Sequence, residues 1–525
     1  MKSARFDLRF IKRQIFQTLN GGIDSILLKL IARSGSHEFS ESSNFLRGVN
    51  ICANRLLEFK KHSKRSKAQL DRLLPRLIST SRSEPNQSIA TAIVEGDELR
   101  KKNLFSKERE IYSELSKKFP TSIDALSLVA STKYLDGDIR GWIDDYKKIL
   151  KISREESKRR FGENNSLRVL GVERTGPMGH LAQIDAIVKL SRLGQLSDEK
   201  RILVTNTSQI ANSALLNLWR EHIDVFQLSN HEYLQFAEVY FPIFEHVPCI
   251  RCVDGDRDQT TAWSTANSLW EKRGYSPLLQ VSDEIESRGR KVLRRWGLDE
   301  DTWFVGLHVR DGQHSRRRQL PNADISTYLP AIRRVIELGG AVIRMGNPNM
   351  PALPQMQGLV DYAHSVERVD WMDVFLWGKS KFFIGTNSGG SDVPQVFGVP
   401  VIKSNFSHIG QSFYSPQSFM VPKLFRNKFS GQLLTLSEIF ESPFAWTVSL
   451  SHDGFEIEVI DNDPEDLVAA VNEMHWSFKT QKSKFAIKNN LGYSETANTI
   501  RQKYGALGGL PIGSSFLSKY RDLIQ

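Results

Sequence analysis

The stretch FFIGTNSGGSDVPQVFGVP, residues 382–400, decides the fold class of this chain more clearly than any other part of the sequence. An apolar run ends at Gly385, and a loop of small polar residues and glycines follows. A short helix-like piece and a second apolar run from Val399 come next. A strand, a glycine-rich loop and a helix in this order are typical of an α/β protein with a parallel sheet. The loop is either a tight turn or a cradle in which backbone N–H groups hold a phosphate.

Strands and helices alternate in two series along the chain. The first series spans 167–204, and the second begins at Trp303 and ends at the loop 385–392. Each series contains a glycine-rich loop directly after a strand. We therefore predict two Rossmann-like domains that face a cleft, at 161–285 and 286–525.

Residues 81–160 precede these domains and are predicted to be mostly helical. Residues 81–89 indicate a linker, because Ser, Pro and Asn cluster there. Helical patterns follow at 98–118 and 122–134, and a third runs through Trp142. A proline after one helix and Gly-Asp before the next are similar to tetratricopeptide-type (TPR-like) helix pairs, and an ordinary helical hairpin is the alternative. Either would be an interaction module or a packing cap outside the catalytic site.

The first 80 residues carry most of the net charge. They hold 16 Lys and Arg against 6 Asp and Glu, a net charge of +10 out of +11 for all 525 residues. Apolar residues at helical spacing over 23–31 and a basic run at 60–67 favour contact with anionic lipid or nucleic acid; a basic helix packed on the next domain is the alternative. The sequence shows no run apolar enough to span a membrane and no secretory signal. We expect a cytoplasmic protein, peripheral on the inner face of the membrane.

Metal or disulfide chemistry finds little support in the sequence. Three cysteines in 525 residues argue against a disulfide framework. Cys249 and Cys252 have CxxC spacing without a second pair, so a redox pair or two ordinary half-buried thiols are the alternatives to zinc. Asp254 and Asp256 have Asp-x-Asp spacing and are interpreted as a turn. We therefore expect no metal and no cofactor.

Polar residues at predicted strand ends form the first candidate site. In the loop 385–392, glycines let backbone N–H groups approach an anion, and the positive end of the next helix lies there. His308 and Arg310 lie at the end of an earlier strand, where an arginine can bind a diphosphate with two hydrogen bonds. Arg344 ends a third strand and either joins them or pairs with a buried carboxylate. The predicted anion-binding residues are His308, Arg310, Arg344, Gly346, Asn387, Ser388, Gly389, Gly390 and Ser391.

The loop 173–180 of the first series forms the second candidate site. Gly176 and Gly179 let the backbone pass close to a ligand. The candidate general acids or bases are His180, Glu173 and Asp185. For His180, a structural place at the start of a helix is the alternative.

These residues resemble a known group of enzymes. The loop at 384–391, followed by 398–401, is similar to the donor-phosphate loop of metal-independent GT-B glycosyltransferases such as the heptosyltransferases. His308-Val309-Arg310 is similar to the His-x-Arg strand end of GT-B fucosyltransferases, in which an Asp lies a few residues further on; here Asp311 follows directly. From 166 to 520 the sequence resembles a bacterial family of glycosyltransferases found near surface-polysaccharide genes.

The resemblance implies a GT-B-like fold with an acceptor domain at 161–285 and a nucleotide-sugar donor domain at 286–525. It implies transfer of a sugar from a nucleotide-sugar donor to a cell-surface glycan or lipid-linked acceptor, without a metal. Arg310, Ser388, Gly389 and Gly390 would bind the donor diphosphate and stabilise its developing charge. The sugar, the nucleotide, the acceptor and the stereochemical course stay open.

Two other functions fit parts of the sequence. A basic N-terminus on a nucleotide-binding scaffold would suit a nucleic-acid-associated protein, but the basic segment has few interleaved aromatics and no reading motif. We therefore expect no nucleic-acid partner. A transferase without activity that binds a protein partner through its helices is the other alternative.

Overall fold

The computed structural model describes residues 84–524 except 102–103, 136–137, 163–166, 197–198, 241–242, 246–248, 300, 312–319, 447–455 and 481–508. The basic leader predicted over 1–80, with its amphipathic helix and its basic run, lies outside these residues. In the described part of the chain, no helix combines the length and apolarity needed to cross a membrane.

Four consecutive helices open the described chain: α1 (Glu84–Lys101), α2 (Phe105–Lys118), α3 (Ile123–Leu135) and α4 (Ile139–Phe161). The first three helices pack around a small core that includes Ile89, Tyr112 and Ala125, and α4 packs on α3 through Ile149 and Leu126. The helical prediction for this segment is confirmed, whereas the linker at 81–89 is wrong from Glu84 onward, because a proline in the first turn is compatible with a helix. The predicted helix 98–118 is two helices. The TPR-like resemblance stays a prediction.

The helix α4 is hydrogen-bonded to the strand that comes after it in the chain. Ser157 Oγ donates to the carbonyl of Leu167 at 2.7 Å and accepts from its N–H at 2.9 Å. Ser153 Oγ accepts from Arg168 at 2.6 Å. Hydrogen bonds along the C-terminal half of α4 therefore join it to the first strand of the next unit.

The first α/β unit is built on a three-stranded parallel sheet in the order β1-β2-β3. The antiparallel hairpin β4–β5 carries both Cys249 and Cys252 in β4. The loop predicted at 173–180 is largely two short helices. The elements are β1 (Leu167–Leu170), α5 (Val172–Thr175), α6 (Met178–Ala182), α7 (Ile184–Arg192), β2 (Lys200–Asn206), α8 (Ser213–Trp219), β3 (Asp224–Leu228), α9 (Asn230–Tyr240), β4 (Cys249–Cys252), β5 (Gly255–Asp258) and α10 (Gln259–Lys272).

The second α/β unit is larger and is built on a six-stranded parallel sheet. Its elements are α11 (Asp283–Arg295), β6 (Phe304–His308), α12 (Leu329–Glu337), β7 (Ala341–Arg344), β8 (Leu359–Val360), α13 (Asp370–Lys379), β9 (Phe382–Gly385), α14 (Gly389–Val396), β10 (Val401–Phe406), β11 (Phe419–Pro422), β12 (Leu424–Asn427), α15 (Leu436–Glu441), β13 (Ile457–Ile460), α16 (Pro464–Thr480) and α17 (Ser514–Lys519), with 3-10 turns at Ile325–Tyr328, Tyr362–His364, Ile409–Gln411, Pro443–Ala445 and Arg521–Ile524. The strands β12 and β13 form a separate antiparallel pair.

The order of the six strands locates a crevice. Across the sheet it is β8-β7-β6-β9-β10-β11, so the chain moves outward in one direction from β6 and in the other from β9. This is the doubly wound 3-2-1-4-5-6 order, whose ligands bind where the direction reverses. His308 and Gly385 are paired at the carboxyl ends of β6 and β9. The predicted α/β class with parallel sheets is confirmed, and the opening stretch lies at the switch point.

The two units share an apolar core instead of standing apart. One buried cluster contains Leu170 and Trp263 from the first unit together with Val393 and Val401 from the second. Trp263 also stacks on Phe413 at a centroid distance of 3.9 Å. Contact across the units is therefore extensive, and the space for a ligand lies in a cavity bounded by both.

Candidate functional site

The switch point is held together by hydrogen bonds between two strand ends. The N–H of Thr386 donates to the carbonyl of His308 at 3.1 Å. The N–H of Arg310 donates to Thr386 Oγ1 at 3.0 Å. Ser388 Oγ lies 2.9 Å from His308 Nδ1. The backbone after β6 and the loop after β9 are thereby fixed relative to each other, which brings together His308, Arg310 and Ser388 as the sequence predicted.

The positive charge of Arg310 lowers the pKa of two nearby histidines, His308 and His408. Burial lowers the pKa of His308 to about 4, and the positive charges of Arg344 and Arg310 contribute to this lowering. Burial likewise lowers the pKa of His408 to about 3, with Lys403 and Arg310 adding to the effect. Both rings are therefore neutral at neutral pH. Arg310 contributes a positive charge beside them, which suits an anionic ligand.

The glycines of the loop serve a purpose that the sequence did not predict. A Cβ built on Gly179 of α6 would come within 2.9 Å of the Gly389 Cα, so the two units touch backbone to backbone here. A Cβ on Gly390 would meet the His308 ring at 3.4 Å. Gly179 and Gly389 therefore allow the backbones of the two units to approach closely, and the approach of a ligand to these two loops stays a prediction. Gly176 ends α5 with an ordinary helical backbone and φ of −71°.

Ser391 is committed to the loop itself. Its hydroxyl lies 2.7 Å from the Thr386 carbonyl and 2.8 Å from the Ser388 carbonyl, and it accepts from Lys403 Nζ at 3.1 Å. The side chain is fully buried. The prediction that Ser391 offers a hydroxyl to a ligand is therefore wrong, because internal partners occupy that hydroxyl.

A buried ion pair lies beneath the loop. Lys403 of β10 is 2% exposed and contacts the Asp392 carboxylate of α14. Burial raises the pKa of Asp392 and lowers that of Lys403, while each charge favours the charged form of the other. The pair fixes α14 on the sheet, and sequence reasoning missed it because the two residues are paired only through the fold.

Three other predicted anion-binding residues surround this centre. Arg344 pairs with Asp361 at 3.1 Å and also contacts the Pro351 carbonyl, which is the alternative role that the sequence allowed. Gly346 has φ of +155°, a backbone conformation that favours glycine, and a Cβ there would also require the end of the Met350 side chain to move. The Asn387 amide contacts the imidazole of His408.

The predicted acids and bases of the first unit have different surroundings. Asp185 is 1% exposed, pairs with Lys189 at 2.7 Å and accepts from the indole of Trp263 at 3.2 Å. The prediction of a catalytic Asp185 is wrong, because these partners hold it in the core. The Glu173 carboxylate accepts from the N–H of Gly171 at 2.8 Å.

His180 is positioned to accept a proton. Its Nδ1 lies 2.7 Å from the Glu173 carbonyl. A carbonyl only accepts, so Nδ1 carries the proton and Nε2 is the acceptor of the ring. Burial lowers the pKa of His180, so the ring is neutral at neutral pH. Among the three candidates, His180 is the one that lines the cavity.

The cavity measures about 690 Å³ and is bounded by three parts of the chain. His180 and Asp258 belong to the first unit, and Asn387 and His408 belong to the second. The helical segment contributes side chains from α1 to α4, among them Trp142. This volume lies within the range of about 300–1,000 Å³ common for small-molecule sites. The helical segment, which the sequence analysis placed outside the catalytic site, therefore forms part of the wall of this cavity.

Asp258 is a cavity residue that the sequence analysis missed. It is 5% exposed and caps α10, with Oδ1 accepting from the N–H of Thr261 at 3.0 Å. Its other oxygen, Oδ2, makes no hydrogen bond within the described residues. Burial raises the pKa of this carboxyl. In the sequence, an aspartate three residues before a threonine at 258–261 indicates only a helix cap, so the position of Asp258 on the cavity could not be predicted from it.

The neighbouring residues with metal-like spacing have structural roles. Asp254 pairs with Arg257 across the hairpin turn, as the sequence interpretation of a turn predicted, and Asp256 pairs with Arg251 at 2.7 Å. Cys249 and Cys252 are both buried, and burial raises the pKa of each thiol. Among the described residues, no group of three or more His, Cys, Asp or Glu is arranged to hold a metal ion.

Comparison with known proteins gives matches at the level of structure. No protein-family model and no curated protein matches the sequence. A glycosyl transferase family 9 structure from Veillonella parvula matches with 10% identity, 46% of this chain, 81% of that chain and a TM-score of 0.30. The iron-containing dodecameric glycosyltransferase TibC from enterotoxigenic Escherichia coli matches with 16% identity over 59% of this chain and 76% of that chain, with a TM-score of 0.33. The E. coli heptosyltransferase WaaC matches with 12% identity over 53% of this chain and 97% of that chain, with a TM-score of 0.27. At such TM-scores these likenesses carry no argument about activity, so the function has to rest on the site.

Proposed function

We propose that this chain is a glycosyltransferase that moves a sugar from a nucleotide-sugar donor to a glycan or lipid-linked acceptor. The observation that carries the proposal is the group at the switch point, where Arg310, His308 and Ser388 meet the N-terminus of α14. Open α/β sheets bind their ligands in this crevice. A cavity of ligand size lies directly beside it and shares Asn387 and Asp392 with the loop.

The donor diphosphate would be held by protein groups without a metal. Arg310 keeps its proton even where burial lowers its pKa, and its planar fork matches phosphate oxygens. The Ser388 hydroxyl and the first N–H groups of α14 would add hydrogen bonds. The leaving group gains negative charge as the bond to the sugar breaks, so these donors stabilise the transition state more than the ground state.

His180 would act as the general base. The acceptor hydroxyl oxygen attacks the anomeric carbon, the bond from that carbon to the diphosphate oxygen breaks, and its electron pair stays on the diphosphate. The hydroxyl proton passes to Nε2 of His180, whose Nδ1 is held by the Glu173 carbonyl. Because the ring is neutral at neutral pH, it is ready to accept this proton.

A panel of nucleoside diphosphates and nucleotide sugars tests the proposal. We expect one nucleoside diphosphate to raise the melting temperature of the full chain, because a ligand that binds only the folded state stabilises it. The matching nucleotide sugar should then be consumed in the presence of an acceptor. If no member of the panel shifts the melting temperature, the glycosyltransferase proposal fails.

Replacing Arg310 tests the donor site directly. Arg310→Ala should lower kcat/KM by about 10²–10³-fold, the cost of losing a group that stabilises developing charge. Arg310→Lys should recover part of the rate, since it restores the charge but not the fork. Arg333→Ala on the exposed side of α12 is the matched control and should leave kcat/KM unchanged. An Arg310→Ala enzyme with the wild-type rate would remove this residue from the donor site.

The basic leader supports a place at the inner face of the cytoplasmic membrane. Its net charge of +10 over 80 residues suits anionic lipid headgroups, and a lipid-linked acceptor would be found there. Full-length protein should sediment with vesicles that contain phosphatidylglycerol, and a chain lacking 1–80 should not. Equal sedimentation of both would move the membrane contact elsewhere.

A further inference from the structure

The cavity is lined by aromatic side chains from separate parts of the chain. The helical segment supplies Tyr134, Trp142 and Tyr146. The ring of Trp142 lies 5.1 Å from that of Tyr134 and 6.0 Å from that of Tyr146, measured between centroids. Trp263 of the first unit and Phe413 of the second also line the cavity, but their rings stack on each other and Trp263 is only 1% exposed. The half-buried rings of the helical segment are therefore the ones that can offer a flat face to a ligand. Flat apolar surfaces of this kind suit the C–H faces of a sugar ring, which are also apolar.

Polar groups are interleaved with these rings. Asp258 lines the cavity although it is only 5% exposed, and its Oδ2 makes no hydrogen bond in the described part of the chain. A buried carboxylate oxygen without a donor is costly, and a ligand hydroxyl would remove that cost. Nε2 of His180 is a second acceptor in the same cavity. A ligand that fits therefore brings hydroxyl donors around an apolar ring face.

These groups are distinct from the diphosphate site. Asp258 belongs to the first unit, and the aromatic residues of α3 and α4 belong to the helical segment. The proposed diphosphate ligands Arg310 and Ser388 belong to the second unit and are not among the residues that line the cavity. Asn387 lines the cavity next to Ser388 in the chain, so the two sites adjoin. A molecule held at Asp258 would thus meet the donor from the side of the first unit.

We propose that this cavity is the acceptor subsite, that the acceptor is a carbohydrate, and that the helical segment forms part of its wall. Asp258 Oδ2 accepts a hydrogen bond from a hydroxyl of the acceptor sugar, and Trp142 with Tyr134 and Tyr146 contacts its ring. The inference rests on the proposed glycosyl transfer and adds the chemical class of the acceptor. It also gives the helical segment a function within the active site.

Binding of methyl glycosides to the full-length protein, measured by ligand-observed NMR, tests the inference. The probes are methyl glycosides of hexoses, heptoses and N-acetylhexosamines, with their disaccharides. Asp258→Asn should weaken binding of the bound glycoside by at least about tenfold, the loss of a hydrogen bond to a charged group. Asparagine caps a helix as well as aspartate does, so α10 should stay intact. Trp142→Leu removes the ring face and should weaken binding as well.

The control is Asp254→Asn, the same exchange in the exposed turn of the same hairpin, which should bind the glycoside like the wild type. The inference is overturned if no glycoside binds the wild type, or if Asp258→Asn binds as tightly. Thermal shifts with ADP and UDP on the same variants separate the two proposals. An unchanged nucleotide shift in Asp258→Asn supports a separate acceptor subsite. Glycoside binding without any nucleotide shift in the wild type would overturn the acceptor role, since no donor would be bound.

Discussion

The polar groups around the switch point and the cavity have different partners in the two α/β units. In the second unit, Lys403, Ser391 and Arg344 are each committed to partners inside the protein. In the first unit, Asp258 leaves one oxygen without a donor in the described chain, and His180 keeps a ring nitrogen as an acceptor. Under the proposed function, the larger sheet would provide a rigid frame for an anion, and the smaller unit would provide the groups that take part in hydroxyl chemistry. Four predictions test this division.

The largest effect is expected at His180. His180→Gln should lower kcat by about 10²–10⁴-fold, the usual contribution of a general base, while the thermal shift with nucleoside diphosphate stays unchanged. The wild-type kcat/KM should rise with pH through a value below 6.5, because the pKa of His180 is lowered and only the neutral ring accepts a proton. His231→Gln on the exposed part of α9 is the control. A variant that keeps the wild-type pH profile would move the base elsewhere.

Breaking the ion pair under the loop should give the largest loss in the free energy of unfolding among these variants. Lys403→Met should reduce the free energy of unfolding by about 3–5 kcal/mol, because it leaves the Asp392 carboxylate buried without its partner. The double variant Lys403→Met with Asp392→Asn should recover much of the loss, since no charge remains to be desolvated. Urea unfolding of both variants measures the difference. Equal losses in the single and double variants would mean that the charge is not the cause.

The contact between the glycine loops gives the next effect. Gly389→Ala should cost about 1–3 kcal/mol, as overpacking does, because its Cβ would enter the backbone of Gly179. Gly390→Ala is the comparison, because its Cβ would approach only the His308 ring at 3.4 Å and should be tolerated better. Urea unfolding ranks the two. A smaller loss at Gly389 than at Gly390 would show that the two loops separate readily.

The smallest effect is a pH dependence of stability. His308 and His408 have folded pKa values of about 4 and about 3, below the ordinary 6.5. Their contribution is therefore present above pH 6.5 and is lost as the pH falls, because the unfolded chain binds protons that the folded chain excludes. Between pH 6.5 and 5.5 the loss should be about 1 kcal/mol per histidine. His408→Gln should flatten this slope in urea unfolding; an unchanged slope would exclude His408 as its source.

The sequence predicted the elements that depend on local patterns. The run 382–396 reads as strand, loop and helix because apolar residues, glycines and a helix start follow each other, and β6 and β7 were found by the same signals. The juxtaposition of His308, Arg310 and Ser388 followed from the rule that parallel strands end on one edge. These inferences needed no knowledge of distant contacts.

The features that sequence reasoning missed depend on contacts between distant residues. Asp185 looked available in the sequence, but Lys189 and Trp263 enclose it, and Trp263 is 78 residues away along the chain. Gly179 and Gly389 have no room for a side chain because their backbones contact each other, and the sequence around either position does not reveal that contact. Asp258 was hidden because a helix cap accounts for the residue without revealing that one oxygen lacks a donor. The leader 1–80 lies outside the described residues, so its predicted role stays a prediction.

The long helix α4 has a thermodynamic consequence. It runs for 23 residues, about 35 Å, with Trp142 and Tyr146 at its N-terminal half on the cavity and Ser153 and Ser157 bonded to β1 at the other. Opening the cavity wall therefore means either breaking this helix or detaching it from the sheet. Amide hydrogens of α3, α4 and β1 should exchange with solvent with similar free energies of opening, as members of one cooperative unit. A destabilising substitution in the helical segment should then also lower the free energy of opening of β1, in the unit that carries His180.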